Sequence, residues 1–282
     1  MDLEFRRCCY RCKKHKGDID FPGEKCFEFN NLHFSGKLIQ NYTFDRFVPI
    51  GGSRVAYQDS LDIAGNPGRG NNPLFIYGQN GNGETHLLHA IGHYVTENDL
   101  GSKVIVITAE RFVNDLIYSL RFNKMICFRR KFRYCDLLLI DDIQFLSHKE
   151  RSQEEFLHTI KSLLSENRQI VATSGMPPSE IPGLDKSIVD LFLGGLVTEV
   201  GTPKDSAENL QLIKNFSKNM SLNLQDEVME LIAKRSFGSI RRLQGFLSRI
   251  VLLADYLKIE ITDDVLDKMI EGPYTGLSVE DK

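Results

Sequence analysis

Residues 74–88 read Leu74-Phe-Ile-Tyr-Gly78-Gln-Asn-Gly-Asn-Gly-Glu-Thr85-His-Leu-Leu88. Leu74–Tyr77 is a short apolar run of the kind that forms a strand buried on both faces. Leu87, Leu88 and Ile91 recur at helical spacing, so the segment between turns the chain from strand into helix. That segment has the glycines and the hydroxyl of a phosphate-binding loop, G-x-x-x-x-G-K-[ST]. Such glycines let backbone N–H groups wrap phosphate oxygens at a helix N-terminus, a lysine neutralises the outer phosphates, and the hydroxyl holds Mg²⁺. Gly78, Asn80, Gly81, Gly83 and Thr85 fit those nucleotide-binding roles, but Glu84 stands where the lysine belongs. Unit charges about 4 Å apart at an effective dielectric of about 20 interact by roughly 4 kcal/mol. Exchanging a cation for an anion should weaken Mg-nucleotide binding by several powers of ten unless Glu84 swings out to solvent. The alternative is a glycine-rich turn that binds nothing.

Working outward, apolar runs at 104–107, 137–140, 170–173 and 196–198 alternate with helical patterns from Tyr42 to about Thr202. This predicts an α/β domain, a parallel sheet with helices on both faces, with ligands beyond the carboxyl ends of its strands. Leu137-Leu-Leu-Ile-Asp-Asp142 reads as a buried strand ending in two carboxylates, the shape of a Walker B motif. Asp141 would hold Mg²⁺ together with Thr85, and Asp142 would polarise an attacking water. After Pro203 only helical periodicity remains, at 226–235, 240–257 and 262–270, with Ser239 and Thr262 as caps. The expected organisation is an N-terminal extension at 1–40, the α/β domain at 41–203, a small all-helical lid at 204–272 and a frayed tail at 273–282.

The 282 residues carry 35 basic and 38 acidic side chains, a net charge of -3 that excludes nucleic-acid binding by bulk charge alone. No run approaches the roughly 18 apolar residues of a membrane span, and the basic first sixteen residues lead into no apolar core, so a cytoplasmic location is expected. Six cysteines are too few for a secreted disulfide framework. Cys9-Tyr-Arg-Cys12 with Cys26 and either His15 or His33 offers four soft ligands for zinc, although no second paired motif follows; reduced thiols are the alternative.

Residues 121–133 contain six basic side chains, Arg121, Lys124, Arg129, Arg130, Lys131 and Arg133, no acid, and Phe122, Phe128 and Phe132. Charge can track the phosphates of a single strand while rings stack its bases. The competing reading is an amphipathic helix whose phenylalanines face the core, and it is the better one for the rings.

The segments Tyr42-Thr-Phe-Asp-Arg-Phe-Val48, Asn72-Pro-Leu-Phe-Ile-Tyr-Gly78, Thr85-His-Leu-Leu-His-Ala90, Leu139-Ile-Asp-Asp-Ile-Gln-Phe145, Glu150-Arg-Ser-Gln-Glu-Glu-Phe156 and Ile240-Arg-Arg-Leu-Gln-Gly245 closely resemble the AAA+ domain of the DnaA-type bacterial replication initiators. The resemblance covers roughly residues 42–272. It implies a family function in which ATP-bound initiators assemble as a filament at the replication origin, bind single-stranded DNA and open the duplex. It places Arg241 at the lid's sensor-2 arginine, beside an ATP or ADP phosphate, and supports Thr85, Asp141 and Asp142 as the Mg-nucleotide site. It places Val113 and Arg133 at single-strand contacts and favours nucleic acid for the charges of Arg129 and Arg130.

Other positions depart from the family pattern: Glu84 replaces the lysine, Gly175 the sensor-1 acid, and Ser187 and Leu191 the arginines that reach a neighbour's nucleotide. An arginine finger contributes 10³ or more in turnover, so significant ATP hydrolysis is not expected. The chain stops after the lid, so a truncated relative without the family's C-terminal duplex-reading domain is expected. Two roles follow from the resemblance. One is nucleotide-gated initiation or its regulation, with weakened ATP/ADP binding and single-strand affinity. The other is a non-enzymatic module that self-associates or joins a full-length initiator through its AAA+ faces, and caps or inhibits that filament. Leu191 argues against the Hda-type role of triggering a partner's hydrolysis. A gene copy without function is a third alternative. Glu84, Asp141 and Asp142 also raise the expectation of a divalent cation held among three carboxylates.

Overall fold

The computed structural model describes residues 36–79, 81–99, 101–219, 222, 224–235, 237–257 and 262–271. Asn80, the zinc candidates Cys9, Cys12 and Cys26 with His15 and His33, and the tail at 273–282 lie outside the described residues.

Five strands form one parallel sheet: β1 (Leu74–Gly78), β2 (Val104–Thr108), β3 (Leu137–Asp141), β4 (Gln169–Ser174) and β5 (Leu196–Val200), in the spatial order β2-β3-β4-β1-β5. Strands β3 and β4 are buried along their whole length, which is why Leu137–Ile140 and Ile170–Ala172 within them read as unbroken apolar runs rather than alternating ones. Alternate residues serve opposite faces. Leu74, Ile76, Leu137, Leu139 and Val171 pack with helices α1 (Arg54–Gly65) and α2 (Glu84–Asn98). Phe75, Leu138, Ile140, Ile170 and Ala172 pack with α3 (Ala109–Arg121), α4 (Met125–Arg133), α5 (Glu150–Ser165) and α6 (Lys186–Leu193). The sheet is therefore covered on both sides, as the sequence predicts.

The register sets up the site. Residue pairs run Leu74 with Val171 and Leu137 with Gln169, so the carboxyl ends of β1, β3 and β4 finish side by side. The chain enters the sheet at β1, goes to the far edge at β2 and returns, so β1 and β4 become neighbours. That adjacency is the switch point at which such sheets take ligands.

The lid consists of α7 (Ser206–Asn219), α8 (Asp226–Ala233), α9 (Ile240–Leu257) and α10 (Asp263–Glu271). The last three match the predicted periodic stretches to within two residues at each end, whereas α7 adds a helix over a stretch where none was singled out. Leu212, Ile213, Met229, Ile232, Leu247 and Leu266 form the lid core. Val48 and Ile50, from the segment before α1, are buried in the same core, while the adjacent Phe47 ring packs against α1 at Tyr57, 5.7 Å between centroids. This short segment thus ties the sheet domain to the lid. Ser239 caps α9, its Oγ accepting from the Arg242 N–H at 3.3 Å. No helix among the described residues is long and apolar enough to cross a membrane.

Candidate nucleotide cradle and single-strand face

The loop after β1 turns through two glycines in the left-handed region, Gly81 (φ 93°) and Gly83 (φ 119°), and α2 begins at Glu84. The Glu84 side chain folds back into the loop instead of leaving it. Its Oε2 accepts from the Gly83 N–H at 3.1 Å, and the residue is only 8% exposed. Its Oε1 is buried with no hydrogen-bond partner. A Cβ at Gly78 would lie 2.6 Å from that Oε1, so the inward pose requires glycine there. The expected escape to solvent is therefore not taken: the carboxylate sits among the N–H groups that in such loops receive a phosphate. Burial pushes the Glu84 pKa up to about 7 from an ordinary 4.5, against the backbone N–H groups of Glu84, Gly83 and Asn82, which favour the anion, and with Asp141 adding to the rise.

Asp141 closes β3 at 8% exposure. Thr85 Oγ1 donates to its two carboxylate oxygens at 3.0 and 3.2 Å, and Thr173 Oγ1 on β4 donates to it as well. Burial raises the Asp141 pKa; the Thr173 hydroxyl opposes this, the neighbouring charge of Asp142 reinforces it, and Thr85 opposes it again. Thr173 is a site residue that the motif spacing did not single out. The signal for it is register: Ile140 pairs with Ala172, which sets Thr173 level with Asp141 one strand over. Asp142 adopts φ 58°, donates its N–H to Thr173 Oγ1 at 3.2 Å and accepts from Gln144 Nε2 at 2.8 Å.

The hydroxyl and carboxylate of Thr85 and Asp141 form a hard-oxygen pair suited to Mg²⁺. The expected three-carboxylate cation site is not assembled. Among the described residues no group of three or more His, Cys, Asp or Glu is placed to hold a metal. Glu84 is taken up by its own loop, and the left-handed turn at Asp142 carries that carboxylate to Gln144.

The lid docks on the loop through α9. The Arg241 N–H donates to the Gly81 carbonyl at 3.0 Å, and a Cβ at Gly81 would lie 2.8 Å from Arg241 Cβ. Glycine is needed there both for its positive φ and for this approach. The Arg241 side chain is exposed beside the loop. On α6, Ser187 is exposed, its N–H bound to the Asp185 cap at 2.8 Å, and Leu191 is partly buried against the sheet core. Gly175, just beyond β4, contributes no charge.

The basic segment forms the end of α3, a turn and α4. Phe128 and Phe132 are 1% and 0% exposed and pack edge-on against Phe112 at 5.1 and 5.0 Å, so these rings belong to the core and are not available to bases. Arg129 forks onto Glu155 of α5 at 3.0 and 2.8 Å, and Arg133 reaches the same carboxylate at 2.7 Å. Burial pushes Glu155 up, but the two guanidiniums outweigh it and hold the carboxyl below its usual value. Lys131 lies 3.4 Å from Asp115, so three of the six cations face acids from neighbouring helices. Arg130 is exposed, and Val113 is buried with its side chain in the core. Phe122 is exposed, with the Tyr118 ring 4.5 Å away, Arg121 5.8 Å from its centroid and Lys124 5.6 Å from that of Tyr118. Sequence spacing missed the contribution of Tyr118, which is one helical turn before Phe122.

Residues 38–199 match the family model of the bacterial DnaA ATPase domain. The chain belongs to that DnaA family. It is 34% identical to domain III of the Thermotoga maritima replication initiation protein DnaA, covering 84% of this chain and 100% of that one, with a TM-score of 0.78. It is 30% identical to AMPPCP-bound DnaA from Aquifex aeolicus, over 81% of this chain and 78% of that one, with a TM-score of 0.71. A replication initiator DnaA bound to AMPPCP and single-stranded DNA is 28% identical over 83% of this chain and 81% of that one, with a TM-score of 0.72. The Thermotoga maritima branch-migration motor RuvB shares the fold alone, at 21% identity and a TM-score of 0.59 over 83% of this chain and 73% of that one. The molecule is thus an AAA+ domain of DnaA type, with the phosphate loop, the β3 carboxylates and the lid arginine in one region.

Proposed function

We propose that this DnaA-type AAA+ module acts in replication initiation or its regulation with an ATP/ADP site weakened by Glu84. The observation that carries the reading is the Glu84 carboxylate inside the phosphate loop, bound to Gly83 N–H. A nucleotide's β-phosphate needs those same N–H groups, so it must first expel an anion and then bear its repulsion. When present, Mg²⁺ would be held by Thr85 and Asp141 and would neutralise phosphate charge. Thr173 positions Asp141, and Arg241 reaches the phosphates from the lid. Without a lysine at 84, an acid at 175 or arginines at 187 and 191, hydrolysis is not supported.

Single-stranded DNA is the proposed polymeric ligand, on the face formed by Arg121, Phe122, Lys124, Arg129, Arg130 and Arg133. The related initiator bound to AMPPCP and single-stranded DNA supports this. So do the exposed Phe122 with Arg121 beside its ring, and Lys124 beside the ring of Tyr118.

A second reading is favoured by α6. With Ser187 and Leu191 in place of cations, this surface can pack against a neighbour without completing the neighbour's catalytic site. Such a chain would self-associate or cap a full-length initiator filament. Calorimetric titration of Mg-ATP tests the main reading. Weak or undetectable binding by the wild type and tight binding by Glu84→Lys supports it, whereas equally tight binding by both proteins contradicts it.

A further inference from the structure

The phosphate loop is filled, but the space beside it is not. An open cleft of about 170 Å³ lies between the loop and the lid, bordered by Gln79, Thr202, Pro203, Asn209, Phe237 and Ile240. Pro203, Phe237 and Ile240 supply apolar surface for the faces of a flat ring. Gln79, Thr202 and Asn209 supply polar edges. The Asn209 amide nitrogen is already committed to the lid carbonyls of Ala233 and Arg235 at 3.2 and 3.4 Å, which leaves its oxygen as an acceptor. The lining exposes somewhat more polar than apolar surface, so the cleft suits a small ligand that has polar edges as well as flat apolar faces.

The next compartment is closed to anions. The Glu84 carboxylate uses the Gly83 N–H, lies under the Gly78 turn and leaves a buried, unpartnered Oε1 there. Asp141 adds a second carboxylate on the Thr85 side. An incoming β-phosphate meets a filled seat and two acids, whereas a ribose or a first phosphate stops short of it.

We infer that the cleft takes a nucleoside, bare or carrying one phosphate, in preference to the corresponding diphosphate and triphosphate, because the chain's own carboxylate occupies the next phosphate's seat. The inference rests on the proposed reading of this region as a nucleotide site of family type and reverses its phosphate preference. The loop then serves as a built-in phosphate mimic that keeps the lid docked through Gly81 and Arg241.

The test is calorimetric titration of adenosine, AMP, ADP and ATP, each with and without Mg²⁺, into the full chain. The wild type should bind adenosine and AMP at least about tenfold more tightly than ADP or ATP, and Glu84→Ala should reverse that order. Glu84→Gln keeps the side-chain shape without the charge and should narrow the preference; it serves if the alanine variant does not fold. Thr202→Trp, which fills the cleft mouth, should abolish the adenosine response. ADP binding to the wild type as well as AMP overturns the inference but leaves a nucleotide site in place. Adenosine binding unchanged in Thr202→Trp also overturns it, by removing the cleft from the account. Failure of all four ligands with the wild type and both Glu84 variants overturns the inference together with the reading on which it rests.

Discussion

Glu84 turns its carboxylate back on the residue before it: Oε2 accepts a hydrogen bond from the Gly83 N–H at 3.1 Å. A loop whose geometry collects N–H groups around an anion thereby collects them around its own side chain. The fit is incomplete, because Oε1 is buried without a partner, and the cost of that burial falls on the ionised form.

A pH dependence of stability follows. The Glu84 pKa in the folded chain is raised to about 7, from about 4.5 when exposed, so between those values the native state holds a proton that the unfolded state has released. Stability from this group is therefore full below about pH 4.5 and is lost as pH rises through about 7. The loss is on the order of 3 kcal/mol, at roughly 1.4 kcal/mol per pH unit between those two values. Denaturant unfolding of the wild type and Glu84→Gln should show the variant gaining relative stability between pH 5 and pH 8. A constant difference across that range contradicts the buried anion.

Restoring the lysine should restore binding without turnover. Glu84→Lys still carries Gly175, Ser187 and Leu191, and a missing arginine finger alone costs 10³ or more in rate. Phosphate release from Mg-ATP should stay at background in both proteins, even at high protein concentration. Measurable turnover by Glu84→Lys would show that another group supplies the missing charge.

A phenylalanine packed beneath the basic segment and one exposed on it should separate cleanly. Phe112→Ala removes the ring at the centre of the Phe128, Phe132 and Phe156 cluster and should cost about 3–5 kcal/mol in unfolding free energy. Phe122→Ala, at 51% exposure, should change stability by about 0.5 kcal/mol or less. It should weaken oligothymidine binding about fivefold or more, the loss of one stacked base. Fluorescence anisotropy and thermal unfolding on the same samples distinguish the two.

The Glu155 carboxylate should restrain single-strand binding. Glu155→Gln releases Arg129 and Arg133 from a carboxylate that now engages both. Oligothymidine affinity should rise several-fold, and its logarithmic salt slope should steepen by up to about 1.4, roughly 0.7 for each additional phosphate neutralised. Substituting Ala at Arg129, Arg130 and Arg133 should weaken binding and flatten the slope. If binding by this triple variant equals that of the wild type, the strand binds elsewhere.

Much of the fold was legible because its strands are buried on both faces. Leu137–Ile140 and Ile170–Ala172 are apolar at every position, and such runs between helical patterns leave little choice of architecture. The β3 carboxylates were legible for the same reason: they end an apolar strand two crossovers after the loop. Long-range pairings were not. Glu155 lies 26 residues from Arg129 and 22 from Arg133, on another helix, and nothing in the spacing of a basic run announces the acid that meets it. The direction of the Glu84 side chain was equally silent. It depends on the turn at Gly83 and the absence of a Cβ at Gly78, which charge arithmetic does not contain. Val113 was placed at a strand contact by resemblance, whereas its side chain completes the core packing of α3.

The most direct measurement is the Gly83 amide itself, followed by ¹H–¹⁵N correlation spectra across pH 5 to 8.5 in the wild type and Glu84→Gln. The wild-type Gly83 resonance should be shifted downfield by its carboxylate acceptor and move with a midpoint near pH 7, and it should remain still in Glu84→Gln. A Gly83 resonance that is the same in both proteins and indifferent to pH would place the Glu84 carboxylate outside the loop and leave the phosphate seat open.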